Sequence, residues 1–495
     1  VSGRARWLWL LLTCVPALAA AEAPVERMGA AGYFRLMARP DLDGGNARLG
    51  WSNLYGRLLN EGPWGALEMR LSLLQDQPGR AEPWAAVHLR LEGGSFRGMD
   101  GGGGQLSQFA ASQLYLRAGN LLLKNVTWRL GSLYTYPADL GLYDWRPAEL
   151  FFDTVGLSAT WDDGPWSVML GLGDAGFHIR GADYTTIVSG GGFAKWHVPH
   201  FEVGIGGQAR YEPEVKGSRF APYATPGLTW ERYVRRDFAT QFLLERPGQV
   251  VNLPQPVPTA SSSYKAVAYV GFGGLGPLQW NSLFATFQRW HPLHALNTNN
   301  NGQPYTLYLH TLTSQRTSWL LGNEMRLRLW PERLDAAWAV VYGGNDNPTN
   351  TVQPGEDNYR YVSTVLRLQT YLAPTLHLLT EGSAAHERAL VGNLFRYHVD
   401  SMFQNTGGTA DKAGLWFGDS PTRETVQLKA GLVLNPTGTG IFARPSLRLL
   451  YGLQYSTQQA AFGTGFSDSL DQYNVFAGKE SHWHGLFSIE AESWF

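Results

Sequence analysis

From residue 31 onward the chain alternates apolar and polar side chains in segments of ~10 residues, punctuated by glycine, proline and asparagine. Between Trp64 and Asp76 one face reads Ala66, Glu68, Arg70, Ser72 and the other Leu67, Met69, Leu71, Leu73. Further along, Glu324, Arg326 and Arg328 stand against Met325, Leu327 and Leu329, and Gln427 and Lys429 against Val426, Leu428 and Leu432. The last segment sets His484, Ser488, Glu490 and Glu492 against Trp483, Phe487, Ile489, Ala491 and Phe495. Successive side chains on a strand point to opposite faces, so each segment carries one oily and one charged surface. The pattern predicts strands over 31–38, 64–76, 83–93, 107–119, 126–134, 155–162, 165–175, 191–198, 200–212 and 226–235. It continues with 237–246, 262–273, 277–289, 316–330, 334–344, 357–372, 374–388, 423–434, 440–456 and 483–495.

A soluble β-sandwich alternates in the same way, so the question is which face is wet. Short turns such as Trp330-Pro331-Glu332-Arg333 take turns with long polar stretches such as Asn297 to Arg316, an asymmetry typical of outer-membrane barrels. Trp280, Trp290, Trp319, Trp330 and Trp338 fall near strand ends, where interfacial girdles need them. The chain ends on a strand closing with Trp494-Phe495, and a barrel must seal its last strand onto its first because open edges do not survive in hydrocarbon. The expected fold is therefore all-β: a transmembrane antiparallel up-and-down barrel of about 18 strands (16–20), with lipid outside and water inside. A secreted soluble β protein is the alternative.

Composition supports the barrel. Of 495 residues only 16% are charged, against ~25% in ordinary soluble domains, while aromatics reach 13% and glycine numbers 58. The formal net charge of −1 offers no basic field for nucleic acid. Arg4 and Arg6, the apolar run Trp7–Val15 and the alanines at 17, 19, 20 and 21 have the order of a secretory signal, so 1–21 is expected to be removed and 22–495 to form the barrel. The apolar run is shorter than the ~20 residues of a spanning helix. Cys14, the single cysteine, lies in that signal, which leaves the mature chain without thiol or disulfide. Thr13 is too bulky for the lipoprotein alternative at Cys14. Between the strands ending near Tyr134 and starting near Gly156 runs a strandless, charge-bearing loop, about 135–155. In a wide barrel such a loop is expected to fold inward and constrict the pore.

Four stretches resemble the maltoporin family. They are Gly32-Tyr33-Phe34-Arg35; Arg57-Leu58-Leu59-Asn60-Glu61 followed by Glu68-Met69-Arg70-Leu71; Tyr134 to Asp153, with Asp139 and Asp144 five apart and Phe151-Phe152-Asp153 near its end; and Arg444-Pro445-Ser446-Leu447-Arg448 with Glu490 to Phe495. The resemblance implies an 18-stranded trimeric sugar channel in the outer membrane of a Gram-negative bacterium. It implies a pore lined by Tyr33, Arg35, Arg57, Glu68, Asp139, Asp144 and Trp494, with Glu149, Phe151, Phe152 and Asp153 on the constriction loop. It also implies that Phe495 is read by the barrel assembly machinery. The chain departs from the family where basic loop residues give way to Tyr134-Thr135-Tyr136-Pro137, and in the glycine-rich Gly93–Gly104, where Phe96 is the only aromatic.

A sugar path needs aromatic faces for stacking and charged groups that exchange hydrogen bonds with hydroxyls. Strand parity places Tyr33 with Arg35, and Trp494 with Glu490 and Glu492; an interfacial girdle is the other reading of both rings. No cofactor, metal or enzymatic activity is expected. Gly171-Leu-Gly173-Asp-Ala-Gly176 and Gly271-Phe-Gly273-Gly-Leu-Gly276 match a dinucleotide pattern but open no helix. His482 and His484 share a face without a clear third ligand, and no Ser–His–acid spacing stands out. A general diffusion porin for small hydrophilic solutes is the functional alternative; an adhesin or assembly barrel would call for longer loops.

Overall fold

A computed structural model describes residues 27–40, 49, 52–74, 82–94, 109–136, 139–152, 154–175, 187–212, 261–290, 295–300, 303–308, 316–346, 359–389, 422–457 and 482–495. The N-terminal strands are β1 Met28–Ala38, β2 Trp64–Leu74, β3 Trp84–Gly93, β4 Phe109–Gly119, β5 Val126–Ser132, β6 Val155–Asp163, β7 Trp166–Asp174, β8 Val188–Val198 and β9 Phe201–Glu212. They are followed by β10 Ser261–Leu275, β11 Leu278–Trp290, β12 Ala295–Asn300, β13 Gln303–Tyr308, β14 Arg316–Trp330 and β15 Leu334–Asp346. The last five are β16 Tyr359–Tyr371, β17 Leu376–Ala389, β18 Thr422–Leu434, β19 Ser446–Ser456 and β20 Trp483–Trp494.

Eighteen of these form one antiparallel sheet in sequence order, with β12 and β13 as a separate hairpin in the stretch read from sequence as loop. The sheet closes because β1 pairs with β2 on one side and β20 on the other, Tyr33 facing Trp494 and Arg35 facing Glu492. Strand β9 pairs directly with β10, from Glu212 with Ser261 to Phe201 with Phe272. The candidate strands at 226–235 and 237–246, like residues 1–21 and Asp153, lie outside the described residues.

The alternation sorts as the pattern requires. Leu366, Leu449 and Ile489 point outward and are exposed, as is Leu428 at 62%, whereas Arg367, Gln427, Arg448 and Glu490 point inward and are buried. Such an oily outer band is stable only against lipid, and closure satisfies the backbone groups that hydrocarbon cannot. This is the wall of a Gram-negative outer-membrane barrel. One girdle assignment fails: Trp280 pairs with Gly273 and Arg326, and its indole donates to Ser282 at 3.0 Å on the lumenal face.

The lumen is not uniformly wet. Several lumenal positions of β10, β11 and β14 to β17 are apolar (Val267, Tyr269, Phe284, Val341, Val365, Ala385) because chain from the loops packs on them. Leu54 and Tyr55 reach them from the β1–β2 connection, and Leu140, Leu142, Tyr143, Leu150 and Phe151 from the β5–β6 loop. Ile441 and Phe442 join from the turn between β18 and β19, so the strand expected over 440–456 begins only at Ser446. With short turns periplasmic and long loops external, this turn enters from the periplasmic mouth and the two loops from the external one. The Gly171 pattern finds a structural use here. A Cβ at Gly171 would lie 3.0 Å from the Phe151 ring, so the bare backbone of β7 makes the seat for the loop.

Candidate functional site

The two inward loops meet beside β1 and are held by charge. Residues Ser52–Tyr55 form a single helical turn, and the chain behind it donates from the Arg57 amide to the Leu142 carbonyl at 2.8 Å. Arg35 reaches across both loops, touching Glu61 in very short contact and Asp144 at 3.2 Å. Arg57 bridges Glu61 at 3.4 Å and Glu492 at 2.6 Å. The Tyr33 hydroxyl donates to Glu492 at 2.9 Å. Glu492 also receives Arg448 at 2.5 Å and Arg444 at 2.8 Å. A second anchorage lies on β16 to β18. There Glu381 takes Arg367 at 2.6 Å and Lys429 at 2.8 Å, while Glu387 takes Arg423 at 2.7 Å and the Tyr55 hydroxyl at 2.6 Å. Lys429 and Asn60 complete it through Tyr55 O and Gln427 at 2.8 and 3.0 Å. Charges taken out of water must be paired in this way, since a lone buried ion costs several kcal/mol.

The β5–β6 loop is pinned as tightly. The Leu142 amide donates to Glu324 at 2.9 Å, the Phe151 amide to Gln208 at 2.8 Å, and Tyr143 meets Ser363 at 3.1 Å. Asp144 and Phe151 adopt positive φ (50° and 57°), a conformation that non-glycine residues keep only where surroundings enforce it.

The expected pore residues thus divide. Tyr33, Arg35, Arg57 and Asp144 come together, but Arg35 and Arg57 are 4% and 8% exposed and serve the seam between the loops. Phe151 is buried against β7, whereas Phe152 is 59% exposed to the passage. Glu149 accepts from the Tyr134 hydroxyl at 3.3 Å. Asp139 is exposed, and Glu68 faces His88 at 3.5 Å on another part of the wall. Trp494 sits at the periplasmic rim, 54% exposed, with Arg444 5.6 Å from its ring.

With the plug leaning on β7 and on β9 to β20, the passage is left along β2 to β5 and the outer side of the β5–β6 loop, where Arg70, Arg117 and Phe152 are exposed and Glu68 is half-buried. Sequence reasoning missed what lines it. Arg117 lies over Trp84 at 5.6 Å near the periplasmic mouth. Tyr115 stacks on His88 with centroids 4.8 Å apart and planes 9° apart, and carries the Arg129 guanidinium 3.7 Å from its centroid. Arg129 continues to the Tyr134 carbonyl at 3.1 Å; Tyr134 packs on Tyr136 and Phe152 at 5.7 and 5.6 Å; Arg146 covers Tyr136 at 4.3 Å. The signal was present as parity: His88 pairs with Tyr115 and Arg117 with Arg129, so these residues share the lumenal face with Glu68 and Arg70. Between Phe152 and β9 to β11 opens a cavity of about 220 Å³ lined by Glu149, Gln208, Arg210, Lys265 and Gln288.

The seam is pH-sensitive. Burial pushes the Glu61 carboxyl up to about 8, against the pull of Arg35 and Arg57 and helped by the neighbouring Asp144 carboxylate. Burial also opposes the charge on Asp144, but Arg57 and Arg35 outweigh it and hold this group well below the usual carboxylate range. A raised folded value means that the Glu61 contribution is complete below its ordinary value of 4.5 and is lost as pH rises through about 8. Single-channel current is therefore expected to be quietest below about pH 4.5 and to flicker increasingly as pH rises toward about 8 and the loops loosen. Glu61→Gln, which fixes the neutral form, should stay quiet at alkaline pH; an unchanged alkaline transition in that variant would place the titrating group elsewhere.

No family model matches the chain, and no curated protein matches it. Solved structures with a similar trace are outer-membrane barrels. The outer membrane channel DcaP of Acinetobacter baumannii is 7% identical over 94% of this chain and 97% of its own, at a TM-score of 0.44. OprB of Pseudomonas putida is 11% identical over 94% of each chain, at 0.41. Wzi of Escherichia coli, described as a carbohydrate-binding β-barrel, is 11% identical over 94% and 84%, at 0.39.

Proposed function

We propose that the protein is a channel for facilitated diffusion of sugars, maltooligosaccharide-like in presenting flat pyranose faces. The observation that carries this reading is the row of rings and guanidiniums from Trp84 through Tyr115 and Tyr134 to Tyr136. A pyranose has a weakly apolar face that stacks on an aromatic ring and a rim of hydroxyls that bonds to charged groups, and this row alternates the two. Spaced, shallow contacts also release their ligand, as conduction demands. Glu68, Asp139, Phe152 and Trp494 line the same water. Tyr33, Arg35, Arg57 and Asp144 act by holding the constriction in place. In the same reading residues 1–21 are removed on export, Phe495 is recognised by the barrel assembly machinery, and three barrels associate.

Tyr115→Ala and Tyr134→Ala should each weaken block of the ion current by maltooligosaccharides about two- to tenfold, the worth of one aromatic contact, with little change in conductance. Saturable block in the parent establishes a binding site. Steady ohmic current at every sugar concentration would instead identify a general diffusion porin.

A further inference from the structure

Among the described residues most charges inside this barrel have an opposite partner, which makes the exceptions informative. Arg90 has Glu92 at 3.0 Å, Lys195 has Glu202 at 3.2 Å and Arg326 has Glu324 at 3.1 Å. Among the described residues, Arg70, Arg117 and Arg129 have no carboxylate within ion-pair distance, although all three face the lumen on adjacent strands. Arg117 and Arg129 are direct cross-strand partners, and both Arg70 and Arg117 are within electrostatic reach of His88. Like charges placed opposite each other on neighbouring strands repel; the Trp84 and Tyr115 rings beneath Arg117 and Arg129 offset part of that cost, and an anion beside them would relieve the rest. Arg129 shows the same deficit in detail. Its Nη atoms bond to Gln113 Oε1 at 3.2 Å and to the Tyr134 carbonyl, neutral acceptors both, and its Nε is buried with no hydrogen-bond partner. Among the described residues of β2 to β5 the acidic side chain outside an Arg–Glu pair is Glu68, which is turned to His88. On the constriction loop Arg146, and beyond it Lys265, are further cations without a carboxylate in ion-pair range among the described residues.

We propose that the transported solute carries an acidic group, a carboxylate or a phosphate, and that Arg70, Arg117 and Arg129 receive it beside the Tyr115 ring. The inference rests on the sugar-channel reading and narrows it to acidic saccharides: the ring stacks on Tyr115 while the anion takes charge-assisted hydrogen bonds from the guanidiniums. Low-dielectric walls focus the field of such a cluster along the passage, so anions are concentrated there before they bind.

The test is planar-bilayer recording of the folded protein with four probes: glucose, glucose 6-phosphate, galacturonate and inorganic phosphate. Expected are a reversal potential of anion-selective sign in a salt gradient and block by the two acidic sugars about tenfold tighter than by glucose. That advantage should fade toward 1 M salt, where the screening length falls to ~3 Å. In Arg117→Gln/Arg129→Gln the acid-to-neutral ratio should collapse toward one; Arg70→Gln, at an exposed position, gives the same readout with a smaller drop should the double variant fail to insert. The ratio between glucose 6-phosphate and galacturonate tells phosphate from carboxylate. Glucose blocking as tightly as both acids, or cation selectivity in the parent, overturns the inference while leaving the sugar channel standing. Block by inorganic phosphate with none by any sugar overturns the sugar reading and retains the cationic site.

Discussion

Deleting residues 140–150 should raise single-channel conductance about twofold or more, because a barrel of 16–18 strands holds an aqueous channel once nothing fills it. The segment contributes Leu140, Leu142, Tyr143, Ala148 and Leu150 to the cluster that occupies the lumen, and its amide at Leu142 is fixed to Glu324. The wall does not depend on it. Each strand is paired on both sides by backbone ladders, so the deleted protein is expected to insert and to migrate as a heat-modifiable barrel. It also strips the partners from Val267, Phe284, Val341 and Val365, which would then line water, and lowers the loop's hold on Arg35 through Asp144. Larger and noisier openings are therefore expected together. Normal folding with unchanged conductance would show that the loop does not set the width of the path.

The second large effect is on assembly. Glu492→Ala removes the acceptor of Tyr33, Arg57, Arg444 and Arg448 at once, from the strand that closes the barrel. Removing one partner of a buried ion cluster costs about 3–5 kcal/mol, since the remaining charges stay dehydrated and unpaired. The folded, heat-modifiable fraction should fall sharply and the unfolding temperature with it. Glu492→Gln should do nearly as badly, because the loss is of charge and not of shape. Adding Arg444→Gln to Glu492→Gln should recover part of the yield, as one stranded cation is gone; equal yields of parent and Glu492→Ala would show that the cluster contributes nothing to closure.

The architecture was legible because period-two alternation survives wherever one face meets lipid and the other water. Eighteen of the segments it marked became the strands of the barrel wall, most within a few residues of their ends. The same rule hid the plug. Strand β15, LDAAWAVVYGGND, is apolar on both faces because its lumenal side carries protein instead of water, a departure that marks where a loop would sit. The β1–β2 connection likewise holds Leu49, Leu54, Leu58 and Leu59, too many leucines for a loop in water. Arg35, Arg57 and Asp144 were found by pattern, but their task depends on two loops meeting, and sequence spacing does not encode that encounter. The Tyr115–Arg129 row lay on strands whose parity was known. It went unmarked because stacking across strands needs the register, which only the folded sheet supplies.

The one-sided plug separates two kinds of selection on one chain. Lumenal positions of β14 to β20 behave as the interior of a globular protein: Arg367, Glu381, Glu387, Arg423 and Lys429 each have tightly fixed partners, and any change there must be matched by another. Lumenal positions of β2 to β5 are a watered surface where Arg70 or Arg117 can be exchanged at small cost to the fold. Drift among orthologues should then be slow and correlated in the C-terminal half, whatever passes through the barrel. At the lumenal positions of β2 to β5 it should be fast and independent from site to site, so that a new solute can be accommodated without rebuilding the wall that holds the constriction.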